Sequence, residues 1–157
     1  MKKDWMFSDE NNICNFRTVG VLIRNNKILV QREKDGNEYA LPGGHVKIGE
    51  SSVESLTREY KEETGADVIC DRLIWVEEVF WKWGKKDAHG IVFYYLISLK
   101  SQSDIQDCYF EPQKDNCNVL LEWIKLDEIE DLIIYPSFIK EKIKNISENI
   151  EHFIRHD

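Results

Sequence analysis

Long apolar runs are missing from this 157-residue sequence, and none approaches the roughly 20 residues that a membrane-spanning helix needs. The first five residues, MKKDW, also lack the apolar core of a signal peptide. These two absences predict a cytoplasmic protein without a membrane partner. The length suits one hydrophobic core, so we expect a single domain over residues 1–157.

Paired cysteines are absent as well. The four cysteines stand far apart and form no C-x-x-C pair, which argues against the usual zinc and redox motifs. Since cytosolic proteins seldom carry structural disulfides, we expect reduced, partly buried thiols. The residues concerned are Cys14, Cys70, Cys108 and Cys117.

Positively charged residues are fewer than negatively charged ones. The sequence has 21 Lys and Arg and 29 Asp and Glu, which give a formal net charge of −8. Nonspecific nucleic-acid binding depends on phosphates neutralised by Lys and Arg, so we expect no nucleic-acid partner. An anionic small molecule would need another source of positive charge, and bound divalent cations are the natural candidate.

Two β-hairpins are predicted from runs of apolar residues. The first spans Phe16–Arg32 and turns at Asn25-Asn26. The second joins Leu73–Trp83 to Ile91–Leu99 through a loop at Gly84–Gly90.

The clearest predicted helix covers Ser51–Thr64. Ser51 and Glu54 stand in capping-box register, and Gly65 is placed as the C-terminal stop. Residues at three- and four-residue steps should pack on the sheet. They are Val53, Leu56, Tyr60 and Thr64.

The other segments complete an α+β protein. We expect an α/β/α sandwich around a central mixed β-sheet, since strands are mixed with two substantial helices. The remaining predicted elements are loops at Glu33–Gly44 and Ser101–Asn118, a strand at Val119–Lys125, a short helix at Leu126–Leu132, and a last amphipathic helix at Ser137–Phe153 that Pro136 opens.

Seven residues stand at the spacing G-x5-E-x7-R-E-x-x-E-E-x-G. They are Gly44, Glu50, Arg58, Glu59, Glu62, Glu63 and Gly65. Seven fixed positions coincide by chance at on the order of one in a hundred million starting points. The segment Gly44–Ala66 resembles the Nudix box, and the resemblance extends over most of Phe16–Leu132.

The acidic residues of this segment favour a metal site on physical grounds. On a helix Glu59, Glu62 and Glu63 share one face, so their carboxylates crowd one another. A solvated acidic face is the simpler alternative. However, Gly43 and Gly44 let the backbone approach a ligand closely, so a carbonyl oxygen could join the carboxylates around Mg²⁺ or Mn²⁺.

The resemblance implies a hydrolase that splits a pyrophosphate linkage in a small nucleotide-like substrate. It implies that Arg58 orients a catalytic carboxylate and that Glu50 has a supporting role. Within the box, Glu59 or Glu62 is the expected general base, so the expected catalytic set is Arg58 with these two residues. Carboxylates outside the box are Glu77, Glu78, Glu111 and Glu122.

Two positions depart from the family pattern, which has aliphatic residues where Tyr60 and Ala66 stand. Both should face the core, so they concern packing more than chemistry. The proline typical of ADP-ribose hydrolases just downstream of the box is also missing. Nucleoside triphosphates, dinucleoside polyphosphates, nucleotide sugars and nonnucleotide diphosphates stay open as substrates.

An aromatic segment offers candidates for substrate binding. Trp81 and Trp83 could stack on a base and Lys82 could meet a phosphate, although core packing and a solvated hairpin tip are the simpler interpretations. His89 could act as an acid or base from a loop.

Three further possibilities follow from the same sequence. The first is a nucleotide-sensing module with this fold that binds without turnover. The second is an isomerase on the same scaffold, which would need catalytic residues outside the box. The chain could also form a homodimer, although nothing in the sequence fixes an interface.

Overall fold

Strands dominate the computed structural model, which describes residues 1–107 and 110–157, with the side chains of Ser103 and Phe110 left aside. The elements are β1 (Met6–Ser8), β2 (Asn12–Arg24), β3 (Lys27–Glu33), β4 (Glu38–Ala40), β5 (Gly43–His45), α1 (Ser52–Thr64), β6 (Val68–Trp83), β7 (Lys86–Leu99), β8 (Phe110–Pro112), β9 (Val119–Lys125), β10 (Ile133–Tyr135), α2 (Ile139–Lys142) and β11 (Glu151–His156). Short 3₁₀ helices cover Gln102–Asp104 and Ile129–Asp131.

The described strands join into one mixed sheet with β2 at its centre. The main order is β10-β4-β3-β2-β7-β6-β11, while β1 and β5 pair with β2, and β9 pairs with β3 and β8. Strands β2 and β7 run parallel, as do β6 and β11 and also β4 and β10, whereas the other pairs are antiparallel. The expected mixed sheet is confirmed.

Both predicted hairpins form, but the second loop is shorter than predicted. Asn25 and Asn26 have φ values of 51° and 60°, which suit the tight turn between β2 and β3. In the second hairpin the predicted loop Gly84–Gly90 is wrong beyond Lys85, since β7 begins at Lys86. Pairing with both β2 and β6 extends the strand through this glycine-flanked segment.

Helix α1 is confirmed together with its caps. Ser51 and Glu54 form the capping box, and Gly65 ends the helix with a φ of 77° and an N–H bond to Lys61 O at 3.0 Å. Leu56, Tyr60 and Thr64 are buried as predicted. Val53 is 41% exposed, so the prediction was wrong there and the apolar contact of α1 begins only in its second turn.

The core consists of two clusters, each associated with one helix. Leu56 and Tyr60 of α1 pack with Leu22, Tyr95 and Ile97 of the sheet. The other cluster joins residues of β2, β6 and β7 with Ile139 and Ile143 around α2. The expected layered α/β/α arrangement, of the α+β class, is therefore confirmed.

The prediction of a long last helix is wrong. Helix α2 ends at Lys142, and the chain then forms strand β11 from Glu151, which pairs in parallel with β6. Ile139 and Ile143 pack in the core as expected, but Ile150 is 57% exposed. Pairing with the free edge of β6 overrides the helical spacing in this segment.

Other loop predictions need smaller corrections. The segment Glu33–Gly44 contains β4 and the start of β5, and Ser101–Asn118 contains β8. The predicted helix Leu126–Leu132 is reduced to a single 3₁₀ turn.

Cys70 is partly buried as expected, whereas Cys14 and Cys117 are exposed and Cys108 lies outside the described residues. In the described part of the chain no helix has the length and apolarity needed to cross a membrane, and the cytoplasmic location stays a prediction.

Candidate active site

In the candidate site, strand β5 brings the backbone of Gly44 close to the carboxylate of Glu59. A Cβ atom at Gly44 would lie 2.3 Å from Cδ of Glu59, so only glycine permits this approach. A Cβ atom at Gly43 would lie 2.2 Å from the carbonyl oxygen of Thr18, because Gly43 pairs with β2 at that level. The two glycines therefore let the main chain of β5 fit between β2 and α1.

Arg58 fixes the acidic face of α1. Its guanidinium donates to Glu50 at 3.1 Å, to Glu59 at 2.7 Å and to Glu62 at 3.2 Å, and it also contacts the carbonyl of His45 at 3.2 Å. The hydrogen bond from Arg58 lowers the pKa of Glu50. Arg58 thus contacts three carboxylates of the box, and its role in orienting a catalytic carboxylate stays a prediction.

Glu59 and Glu62 differ in environment. The Glu59 side chain is 15% exposed and its pKa is raised, mainly because burial disfavours the charged form. The Glu62 side chain is 45% exposed and lies one helical turn further along. A water molecule from solvent can therefore reach Glu62 more freely than Glu59.

Glu63 is the most unusual acid of the site. It is only 7% exposed, and its Oε2 atom is buried without a hydrogen-bond partner among the described residues. Burial raises the pKa of Glu63 to about 8, and the charges of Glu59 and Asp115 act in the same direction. Arg17 opposes this shift, which places a positive charge of β2 close to Glu63.

The donor set fits a hard divalent cation. Three carboxylates and the carbonyl groups of Gly43 and Gly44 supply only oxygen, which Mg²⁺ and Mn²⁺ prefer, and the orphaned Oε2 of Glu63 has capacity for a ligand. Within residues 1–107 and 110–157 no three such side chains already converge as a finished metal site. Arg58 accounts for this, because it holds Glu59 and Glu62 as ion-pair partners.

A cavity of about 640 Å³ opens beside these residues. It lies on the sheet face opposite α1, between β2, β6 and β7, and β11 forms one of its walls. His45, next to Gly44, lines the cavity, and so does Arg17, whose positive charge acts on Glu63. Burial and the charge of Arg17 lower the pKa of His45. His45 follows Gly44 directly in β5, so the cavity adjoins the box at this strand.

The predicted aromatic residues have different positions. Trp81 and Trp83 line the cavity, whereas Trp75 is fully buried in the core. Lys82 alternates with these tryptophans, so it lies on the other face of β6, where it pairs with Asp87. The structure therefore does not bring Lys82 to the cavity.

The remaining candidates from sequence are placed away from the box. His89 belongs to strand β7 rather than to a loop, and its ring stacks on Phe80 with centroids 4.1 Å apart. Glu122 forms an ion pair with Arg32 at 3.2 Å. The Glu78 carboxylate contacts His152 on the sheet face opposite the cavity. Of the distant glutamates, Glu77 lines the cavity.

Several cavity residues were not found from the sequence. Asn15, Arg17, Tyr94 and Arg155 line the cavity beside Glu77. Glu77 is fully buried and accepts hydrogen bonds from Tyr94 Oη and Arg155 Nε, both at 2.7 Å. The signal available in the sequence was the presence of Asn15 and Arg17 at alternate positions of β2, on the same face as Val19.

Comparison with known proteins identifies the family. The family model described as NUDIX domain matches residues 15–144 of this chain. The chain therefore belongs to the Nudix family, and the resemblance seen in the sequence is confirmed.

Curated relatives match over shorter segments. An ADP-ribose pyrophosphatase from Methanocaldococcus jannaschii is 45% identical over 49 residues, which cover 29% of this chain and 29% of that protein. The m7GpppN-mRNA hydrolase NUDT17 from Homo sapiens is 31% identical over 100 residues, which cover 58% of this chain and 30% of that protein. The aligned segments thus span less than a third of these relatives.

Solved structures support the fold. A MutT protein from Bacillus halodurans superposes with a TM-score of 0.72 at 20% sequence identity, covering 90% of this chain and 89% of that chain. At this identity the likeness establishes the architecture alone.

Proposed function

We propose that this protein is a pyrophosphohydrolase that cleaves the pyrophosphate linkage of a nucleoside diphosphate derivative with the help of Mg²⁺ or Mn²⁺. The observation that carries the proposal is the contact of Gly44 with the Glu59 carboxylate, beside the buried Glu63, whose Oε2 atom has no hydrogen-bond partner among the described residues. Family membership and the pyrophosphatase name of the relative from Methanocaldococcus jannaschii support it.

Glu59, Glu62 and Glu63, with carbonyl oxygens of Gly43 and Gly44, would hold the metal. When bound, such an ion neutralises phosphate charge and lowers the pKa of a coordinated water molecule. The site also explains how a protein of net charge −8 attracts an anionic substrate.

The protein's own residues would supply positioning and proton transfer. Arg58 holds Glu59 and Glu62 in fixed orientations, and Glu50 anchors Arg58 from the other side. Glu59 or Glu62 would accept the proton of the attacking water, and the raised pKa of Glu59 makes it a stronger base than an ordinary glutamate. Arg17 and His45 would contact the phosphates where the cavity meets the box.

The cavity would hold the rest of the substrate. Trp81 and Trp83 offer aromatic surfaces for a base, as the sequence suggested. Lys82 is not part of this proposal, because its side chain lies on the opposite face of the strand.

The described strands form one sheet, which supports a single domain over residues 1–157.

The test is hydrolysis of a panel of nucleoside diphosphate derivatives with Mg²⁺, Mn²⁺ or a chelator, with identification of the products. We expect metal-dependent release of two phosphate-bearing products. Glu59→Gln and Glu62→Gln should each lower kcat about 10²- to 10⁴-fold, as for the loss of a catalytic acid or base. Glu10→Gln, at an exposed acid far from the box in sequence, serves as the control and should keep full turnover.

Other outcomes identify the alternatives. Nucleotide binding without turnover in any metal would favour a sensing module and overturn the proposal. A product with an unchanged number of phosphates would favour an isomerase. Full turnover of Glu62→Gln would remove Glu62 from the catalytic set.

A further inference from the structure

A straight row of paired residues crosses four strands beneath the cavity. Asn15 of β2 pairs with Gly90 of β7, Gly90 pairs with Val79 of β6, and Val79 pairs with Arg155 of β11. Residues paired across a sheet point to the same face, so this row lies along the floor of the cavity. Three strand spacings separate Asn15 from Arg155, which is roughly 14 Å between their Cα atoms.

The centre of the row is shaped by Gly90. A Cβ atom at Gly90 would lie 2.9 Å from Asn15 Oδ1 and 3.3 Å from Cζ3 of Trp81. The Trp81 ring therefore lies against Gly90, in the part of the cavity between Asn15 and Arg155. A planar ring can stack there with one edge toward Asn15 and the opposite edge toward Arg155.

Asn15 presents an unused acceptor. Its Oδ1 atom is buried and has no hydrogen-bond partner among the described residues. A buried acceptor without a partner costs free energy, and a ligand that donates a hydrogen bond there would recover it. The ligand edge that faces Asn15 should therefore carry a donor.

Arg155 presents donors on the other side. Its Nε donates to the buried carboxylate of Glu77 at 2.7 Å, its Nη1 donates to Asp157, and its guanidinium lies 5.6 Å from the centroid of the Tyr135 ring. The two hydrogen bonds use two of five N–H groups, so donors are left for a ligand. These contacts also hold the guanidinium in one orientation, which suits recognition of an edge with two acceptors.

We propose that Asn15 and Arg155 select the base of the substrate and favour guanine over adenine; this proposal rests on the proposed function. Guanine carries the acceptors O6 and N7 on one edge and the N2 amino donor on the opposite edge. Adenine carries an acceptor, N3, on the edge where guanine has its amino group. The arrangement of one acceptor at Asn15 and several donors at Arg155 therefore matches guanine.

Binding without catalysis tests the proposal directly. GMP, IMP and AMP are titrated by calorimetry in the presence of a chelator, so that neither metal nor turnover contributes. GMP and IMP differ only in the N2 amino group, so their affinity ratio reports the contact with Asn15. We expect the wild-type protein to prefer GMP over IMP roughly 10-fold, and over AMP by at least as much.

Variants assign the preference to the two residues. Asn15→Leu, which has a similar shape but no acceptor, should bring the GMP/IMP ratio to about 1, whereas Asn15→Asp keeps an acceptor and should retain the preference. Arg155→Lys keeps a charge beside Glu77 but loses the planar fork, so the GMP/AMP ratio should fall roughly 10-fold. Thermal unfolding of each variant shows that the fold is intact.

Each result decides the proposal. Equal binding of GMP and IMP by the wild-type protein, no binding of either, or an unchanged ratio in Asn15→Leu would overturn it. A failure of hydrolysis in the metal panel, with base selectivity intact in the binding assay, would overturn the proposed function alone.

Discussion

Two glutamates are buried among the residues that the structure describes, and their surroundings are opposite. Glu77 is fully buried and accepts hydrogen bonds from Tyr94 and Arg155, so its charge is compensated by the protein. Glu63 is 7% exposed, and its Oε2 atom has no partner in the part of the chain that the structure describes. We call the hydrogen-bonded group of Glu77, Tyr94 and Arg155 the closed network, and we call Glu63 the open glutamate.

The difference separates two uses of a buried charge. A buried carboxylate with two donors stays ionised and holds its partners in place, as Glu77 does for Arg155 in the cavity wall. A buried carboxylate with an oxygen that lacks a donor is costly to ionise, and a bound proton or a cation offsets that cost. Glu63 therefore fits the proposed metal site on α1, while Glu77 fits a positioning role.

The largest expected effect comes from opening the closed network. Arg155→Leu leaves the Glu77 charge buried without its cation, and such a loss costs about 3 to 5 kcal/mol. We expect about 3 kcal/mol, because Tyr94 still donates to Glu77 and the Arg155 side chain is 19% exposed. Urea unfolding with the circular dichroism of the protein as the signal measures this difference.

A double variant provides the control for that measurement. Glu77→Gln combined with Arg155→Leu removes the charge together with its partner, so most of the lost stability should return. If the double variant is as unstable as Arg155→Leu alone, the orphaned charge is not the cause.

The next effect concerns the open glutamate and its dependence on pH. The pKa of Glu63 is raised to about 8 in the folded protein, so the folded state keeps a proton that the unfolded state loses above the ordinary value of 4.5. Stability from this group is thus complete below about pH 4.5 and is lost as the pH rises toward 8.

Glu63→Gln removes this titration. Without metal, we expect the wild-type protein to lose on the order of 2 kcal/mol relative to Glu63→Gln between pH 6 and pH 8. Unfolding curves of both proteins at several pH values in a chelator measure the difference, and Glu10→Gln is the control. Parallel pH profiles of wild type and Glu63→Gln would contradict a raised pKa at this position.

Helix α1 and its acidic residues could be predicted from the sequence because the patterns that specify them are local. Ser51 and Glu54 cap the helix within one turn, and the spacing of Glu59, Glu62 and Glu63 places them on one face whatever surrounds them. Helix α1 also tolerates Tyr60 in place of an aliphatic residue. A Cβ atom at position 20 would lie 2.6 Å from the Tyr60 ring, so Gly20 of β2 provides the space.

The C-terminal strand and the cavity wall could not be predicted in this way. Ile143, Ile146, Ile150 and Phe153 fit a helical spacing, yet β11 forms because the edge of β6 is available for pairing. The meeting of Asn15 with Arg155 across the cavity depends on the register of four strands, which is a property of the assembled sheet.

The smallest expected effect compares two buried tyrosines, one in the closed network and one behind the acidic face of α1. Tyr94 Oη donates to the Glu77 carboxylate at 2.7 Å, whereas Tyr60 Oη donates to the neutral carbonyl of Gly20 at 3.3 Å. Hydrogen bonds to charged groups contribute more than those to neutral groups. We expect Tyr94→Phe to destabilise the protein by about 1.5 kcal/mol and Tyr60→Phe by about 0.5 kcal/mol. Denaturant unfolding measures both, and an equal or larger loss in Tyr60→Phe would show that the Glu77 network is weaker than its geometry indicates.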